Sequence, residues 1–132
     1  MDAATLKRIP LFEGLSERDL ERLAPMMAEV KVGENRPLTV EDAVGYEFFL
    51  LLEGTCEVRV GENVVARFGP GDFFGEIAPL ERDRRTASVV ATAPARVAMM
   101  SRPAFRDMSI RYPEIGARLR VAMDERMPRA GD

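Results

Sequence analysis

The chain has no histidine in its 132 residues. That removes the usual general base near neutral pH and the commonest metal ligand in one step. An imidazole-built metal site and any Ser–His–Asp set are excluded, and nothing else in the chain is equipped for catalysis. There is one cysteine, Cys56, so no internal disulfide can form and a reducing cytoplasm is the default setting. Long apolar runs are also missing. Phe48 to Leu52 is strand-sized, far short of the ~20 residues a membrane span needs. The first residues are polar and mixed, without the apolar stretch of a signal peptide. Basic charge is not in excess: 19 Lys and Arg face 22 Asp and Glu, a net charge of −3. That argues against direct DNA binding by this chain, since nucleic-acid binders are usually basic. What remains is 46% hydrophobic and 31% charged, the make-up of an ordinary globular chain long enough for a real core. Residues 1–132 read as a single domain.

The middle of the chain reads as β-rich and the two ends as helical. Ser16 is placed to cap a helix, with Asp19 at its third position and Leu15 able to pack on Leu20, the pattern of a capping box with a hydrophobic staple. Leu20, Leu23, Ala24 and Met27 form one apolar face, which Pro25 interrupts; the helix ends near Ala24 or kinks there. Upstream, Leu6 to Phe12 has room for a short helical turn. Strands then follow at short intervals. Phe48 to Leu52 precedes Gly54; Cys56, Val58 and Val60 alternate with charged residues; Gly61-Glu62-Asn63 turns the chain; Val64, Ala66 and Phe68 alternate again; Gly69-Pro70-Gly71-Asp72 is a second tight turn. Ala87 to Thr92 and Arg96 to Met100 read as two more strands. Several short strands with frequent turns suggest a β-sandwich or jelly roll. Ser101 is placed to cap a helix carrying Phe105 and Met108, and Pro113 suits the first turn of another. Ile115, Leu119, Ala122 and Met123 lie on one face of that second helix, which Pro128 ends.

The stretch Phe73-Phe74-Gly75-Glu76-Ile77-Ala78-Pro79-Leu80-Glu81-Arg82-Asp83-Arg84-Arg85-Thr86-Ala87 carries the chemistry. Gly75 lets the backbone approach a ligand with no Cβ in the way. Arg85 offers a fork of N–H donors to phosphate oxygens. N–H groups opening a short helical turn after Gly75 would point at the same anion. An ionised Glu76 only accepts hydrogen bonds, so beside a phosphate it needs a hydroxyl to face. A sugar–phosphate with one free hydroxyl satisfies all of them. Taken singly, the glycines are ordinary turn residues and Arg82, Arg84 and Arg85 a solvated loop cluster; the joint arrangement is what points to a ligand.

This stretch resembles the phosphate-binding cassette of the cyclic-nucleotide-binding domain family, whose pattern is roughly Phe-Gly-Glu-(Ile/Leu)-Ala, a short loop, then Arg-(Thr/Ser/Ala)-Ala. The family includes bacterial catabolite-activator-type regulators, regulatory subunits of protein kinase A and cyclic-nucleotide-gated channels. The tail from Arg84 to Val89 is most similar to that of hyperpolarisation-activated channels. The resemblance spans roughly residues 10 to 127, leaving no room beyond it for a helix-turn-helix or a kinase. It implies a mainly β fold with flanking helices: a jelly-roll-like β-roll with an N-terminal helix and two C-terminal helices. Metal-dependent cupins share a similar shape but build their site from histidines.

By the same resemblance, Arg85 pairs with the cyclic phosphate and Glu76 accepts from the ribose 2′-hydroxyl. The backbone of Gly75, Glu76 and Thr86 cradles both, within a cassette that takes in Ile77, Ala78 and Ala87; the Thr86 hydroxyl also reaches the phosphate or a purine amino group. Val58, Ala66 and Phe68 are inward positions that touch the purine or simply pack the core. The final helix is a lid, with Arg126 on the base or solvated at a helix end. The resemblance implies a regulatory domain for cyclic AMP, with cyclic GMP open, that shifts population when ligand draws cassette and lid together. It implies no cofactor beyond that ligand, no enzyme activity, an unknown effector and the option of a homodimer. Two alternatives stay open: a ligand-free protein-interaction module of the same fold, and the sensor half of a transcription regulator or channel whose effector part is absent. The chain departs from the pattern at Pro79, at Asp42 in place of a turn glycine (Gly45 keeps another), and at Arg36-Pro37-Leu38-Thr39, which reads as a small insertion.

Overall fold

In the computed structural model, residues 1–41, 47–75 and 87–126 are described, with side chains at 120 and 122–126 outside that description. Among the described residues, helix α1 (Ala3–Lys7), a 3-10 turn (Pro10–Phe12), α2 (Glu17–Leu23) and a second 3-10 turn (Ala24–Met26) precede eight strands. These are β1 (Ala28–Val32), β2 (Pro37–Thr39), β3 (Phe48–Glu53), β4 (Cys56–Val60), β5 (Asn63–Phe68), β6 (Phe73–Phe74), β7 (Ser88–Ala91) and β8 (Ala95–Met100). Helices α3 (Arg102–Arg111) and α4 (Pro113–Arg126) follow. The expected capping holds: Ser16 Oγ accepts from the Asp19 N–H at 3.1 Å and Ser101 Oγ from the Ala104 N–H at 3.3 Å. Pro25 ends the α-helical pattern, as a residue without an N–H should, and the chain continues as the 3-10 turn. Pro113 opens α4.

The strands form two four-stranded antiparallel sheets, in the orders β1-β8-β3-β6 and β2-β7-β4-β5. Period-2 alternation places successive side chains on opposite faces. In the first sheet both faces are covered. Phe48 and Leu50 of β3 pack with Phe73, Ala98 and Met100 against Leu6, Phe12, Leu23, Met108, Ile115 and Leu119 of the helices. Phe49 and Leu51, on the other face, pack with Phe74 and Val97 against Cys56, Phe68, Val89 and Ala91 of the second sheet. This is why β3 is a continuous apolar run with no alternation. Each such side chain contributes ~1.5–3 kcal/mol on burial.

Three strands were not expected from the sequence: β1, β2 and the two-residue β6. β1 pairs with β8 in register from Ala28↔Met99 to Val32↔Ala95. β2 pairs with β7 through Pro37↔Val90 and Thr39↔Val89, with a register shift between them. Within the stretch read as a small insertion, Pro37–Thr39 thus forms a strand of the roll. Its proline sits on a strand that pairs on one side only, where a missing N–H is tolerated. The N-terminal region likewise holds two short α-helices where one helix and a turn were expected. Asp42 and Gly45 lie outside the described residues. In the first sheet Arg96 of the inner strand β8 ties both neighbours together, to Glu29 of β1 and Glu53 of β3, each at 2.8 Å.

The connection from β3 to β4 turns on Gly54, at φ 93°, and a Cβ built there would lie 2.7 Å from the Pro94 carbonyl oxygen and 2.9 Å from Ala95 Cα. Both atoms belong to backbone that cannot swing aside. Gly54→Ala should therefore lower stability by about 3 kcal/mol, through backbone strain and overpacking together. Gly61, at φ 61° with nothing within 4 Å of its built Cβ, has conformational cost alone, so Gly61→Ala should lose about 1 kcal/mol. Thermal or urea melts of the two variants should differ accordingly; equal losses would contradict the steric account of Gly54.

Candidate functional site

The chain leaves the first sheet at Gly75, directly after β6, and enters the second at Ala87, directly before β7. Strand β6 is an edge strand that pairs only with β3, through Phe49↔Phe74 and Leu50↔Phe73. Strand β7 is an inner strand between β2 and β4. Gly75 has φ 79°, the left-handed region where glycine carries no Cβ penalty. Glu76, Ile77, Ala78, Pro79, Arg85 and Thr86 lie outside the described residues. The two ends of their segment are therefore what the structure defines.

The register of the second sheet brings the expected base-facing residues into adjacent rows. Residues directly opposite on antiparallel strands share a face. Val58 faces Ala66 on one side and Val89 on the other, and Val89 faces Thr39. Cys56 likewise faces Phe68 and Ala91. Burial falls along the first row: Thr39 and Val89 are buried, Val58 and Ala66 half-buried. The second row is closed, with Phe68 stacked on Phe74 at a centroid distance of 5.6 Å and Phe74 on Phe49 at 5.0 Å. Of the three expected residues, Phe68 is thus a core residue one position below the turn that leads to β6. Val58 and Ala66 form the exposed end of an apolar floor, on the face that looks into the roll.

Sequence reasoning missed the polar groups at the second end of the segment. Thr39 Oγ1 donates to the Ala87 carbonyl at 3.1 Å and accepts from the Val89 N–H at 3.0 Å. Ser88 Oγ accepts from the Glu41 N–H at 2.8 Å, and Glu41 Oε1 accepts from the Gly61 N–H at 2.8 Å. The only available signal was a threonine and a glutamate flanking Val40, and reading the stretch as an insertion hid it. At the far end, α4 packs through Ile115 and Leu119 into the helix-side core, and Arg118 Nη1 donates to the Leu11 carbonyl at 2.8 Å. Arg126 is the last residue of α4, and its side chain lies outside the described residues. Among the described residues no group of three His, Cys, Asp or Glu could hold a metal ion, and no helix is long and apolar enough to cross a membrane.

Residues 29–112 match the family model described as "Cyclic nucleotide-binding domain". The chain belongs to the cyclic nucleotide-binding domain family. Its β-roll and flanking helices are those of the family fold. A cAMP-dependent protein kinase regulatory subunit of Mycosarcoma maydis is 35% identical over 109 residues, covering 76% of this domain and 21% of that protein. The domain spans about a fifth to a quarter of the length of the curated relatives it matches. Among solved structures, the regulatory domain of Toxoplasma gondii protein kinase A with cAMP has a TM-score of 0.76 at 20% identity, covering 92% of this domain and 48% of that chain. The regulatory subunit of a cAMP-independent protein kinase A from Trypanosoma cruzi, bound to guanosine, has a TM-score of 0.77 at 24% identity, covering 92% and 44%.

Cys56 sits in the closed row of this cyclic nucleotide-binding domain, 1% exposed. Burial pushes its thiol pKa up, so the reactive thiolate is scarce as well as shielded. At pH 8 a thiol reagent should modify Cys56 at least about a hundredfold more slowly in the folded domain than in the denatured chain, reaching it only through opening. Labelling at comparable rates would show that the Cys56–Phe68 row is open.

Proposed function

We propose that this chain is a sensor domain that binds a 3′,5′-cyclic nucleotide, cyclic AMP first and cyclic GMP second, and has no enzyme activity of its own. One observation carries the reading. The sequence segment that carries Glu76 and Arg85 starts at Gly75, directly after β6, and ends at Ala87, directly before β7, where Val89 pairs with Val58 of the half-buried Val58–Ala66 floor. A purine ring suits the apolar floor, and a cyclic phosphate suits Arg85. The 2′-hydroxyl is the one free ribose hydroxyl in such a nucleotide and suits Glu76. In this reading Gly75, Glu76, Ile77, Ala78, Thr86 and Ala87 form the cradle, and Arg126 on α4 closes over the base. The effector is a separate protein or domain that senses α4, and the setting is the cytoplasm. The trypanosome relative holds guanosine, a nucleoside without a phosphate; the cassette arginine favours a phosphate-bearing ligand here.

Calorimetric titration and melting curves with cyclic AMP, cyclic GMP and guanosine test this. Ligand at a hundredfold excess over Kd should add about 2.7 kcal/mol, a Tm rise on the order of 10 °C for this size. No binding of either cyclic nucleotide at millimolar concentration would leave the ligand-free interaction module as the better reading.

Two substitutions assign the contacts. Arg85→Ala should cost roughly 2–5 kcal/mol of binding by leaving a desolvated anion unpaired, whereas Arg84→Ala should cost under about 1 kcal/mol. Equal losses would mean that the cassette register is misassigned.

The ribose contact has its own signature. A 2′-deoxy analogue should bind more weakly by roughly 1.5–3 kcal/mol, the range for a hydrogen bond to a charged group. That preference should shrink in Glu76→Gln. Equal binding of the two nucleotides by the unaltered domain would remove Glu76 from the site.

A further inference from the structure

The start of β7 is held by side chains where its backbone ladder to β2 is interrupted. Just before β2 the Asn35 N–H donates to the Ala91 carbonyl at 2.7 Å and the Ala91 N–H to the Arg36 carbonyl at 3.0 Å, so Asn35 (φ 68°) and Arg36 together oppose Ala91 as a bulge. Then comes Pro37, which has no N–H to give, and the register shifts between Pro37 and Thr39. Such an irregularity leaves ladder groups to be satisfied by other means. Thr39 supplies them, with one hydroxyl on both the Ala87 carbonyl and the Val89 N–H. Thr39 is 6% exposed and is the only buried polar side chain among the described residues. Ser88, between the two, takes the Glu41 N–H, and Glu41 in turn takes the Gly61 N–H of the β4–β5 turn. The Thr39–Glu41 segment is therefore tied to residues 87–89 directly, and through Glu41 to the β4–β5 turn.

We propose that Thr39, supported by Ser88, is a positioning residue for the nucleotide phosphate. Ala87 follows Thr86 and stands two residues after Arg85. Two peptide units span at most about 7–8 Å. Fixing the carbonyl of Ala87 and the N–H of Val89 holds the described end of the segment whose sequence carries Arg85 and Thr86. An arginine fork is worth most when its two N–H groups meet the oxygens in one geometry, and small misplacements of such groups are costly. The hydroxyl is needed for this because a methyl in its place fills the space without either hydrogen bond.

This inference rests on the cyclic-nucleotide reading, and its test separates the two. Thr39→Val removes the hydroxyl and keeps the shape; cyclic AMP affinity should fall at least about tenfold, since the buried Val89 N–H and the part-buried Ala87 carbonyl lose their partner and can move. Thr39→Ser, which restores the hydroxyl, should stay within about threefold of the unaltered domain. The decisive arm is coupling. In an Arg85→Lys background, which keeps the charge and loses the fork, Thr39→Val should cost less than about threefold, because only the fork depends on the anchor. A purely structural Thr39 would give the same fold-loss in both backgrounds, and that result overturns the proposal. So does a folded Thr39→Val protein that binds cyclic AMP normally. If Thr39→Val does not fold, Ser88→Ala carries the same test, with a loss of about three- to tenfold that should vanish in the Arg85→Lys background; a loss that persists there, or no loss at all, overturns the proposal. An unaltered domain that binds no cyclic nucleotide overturns the functional reading itself, and this inference with it.

Discussion

The structure depends on β3 being buried on both faces. Its alternate residues serve two separate cores: Phe48 and Leu50 face the helices, Phe49 and Leu51 the interior of the roll. Neither core closes without it. Remove the helices and Phe48, Leu50, Phe73 and Met100 meet water; remove the second sheet and Phe49, Leu51, Phe74 and Val97 do. A one-residue slip of β3 would exchange the two sets and misfit both. The slip is opposed by two partners at once, β8 along nearly its whole length and β6 at Phe49↔Phe74 and Leu50↔Phe73.

The position of the candidate site follows from that arrangement. The helices occupy the outer face of the first sheet, and the Val58–Ala66 floor lies on the face that looks into the roll. Strand β6 is a two-residue extension of the sheet, with one phenylalanine in each core. It delivers Gly75 at the edge of the first sheet. The Gly69–Asp72 turn that feeds β6 is itself tied to β3, through the Gly71 N–H on the Leu51 carbonyl and the Leu51 N–H on the Asp72 carbonyl, both at 2.8 Å. The first end of the cassette is thus held by the hydrophobic constraint on β3. The second end is held by polar groups, from Thr39 and Ser88. One end rests on packing, which is non-directional, and the other on hydrogen bonds, which define an angle as well as a distance.

The helices complete the same logic from outside. Ile115 and Leu119 put α4 into the core that Phe48 and Leu50 line, and Arg118 ties α4 to the 3-10 turn at Leu11. The C-terminal helix and the roll interior are therefore separated by the thickness of one sheet. Strand β3 lies between them, one face on the helix-side core and the other on the roll interior.

By itself, the sequence determined whatever depends on residue type and short spacing. The helix caps at Ser16 and Ser101, the stop at Pro25, the turns at Gly61 and Gly69–Asp72, the strands around Val58 and Ala66, and the cassette pattern from Gly75 to Ala87 all have local causes in dihedral preference, missing donors or period. Tertiary structure decided what depends on partners far along the chain. Strand β1 alternates only weakly and becomes a strand by pairing with β8 nearly seventy residues later. Strand β2 is three residues long and begins with proline; no local preference marks it, and β7 supplies its partner. Phe68 carries the same alternation as Val58 and Ala66, yet stacking on Phe74 made it core. The role of Thr39 was decided furthest from the sequence. A hydroxyl in a short apolar run is ambiguous until the chain brings the Ala87 carbonyl and the Val89 N–H, forty-eight and fifty residues away, within hydrogen-bond reach.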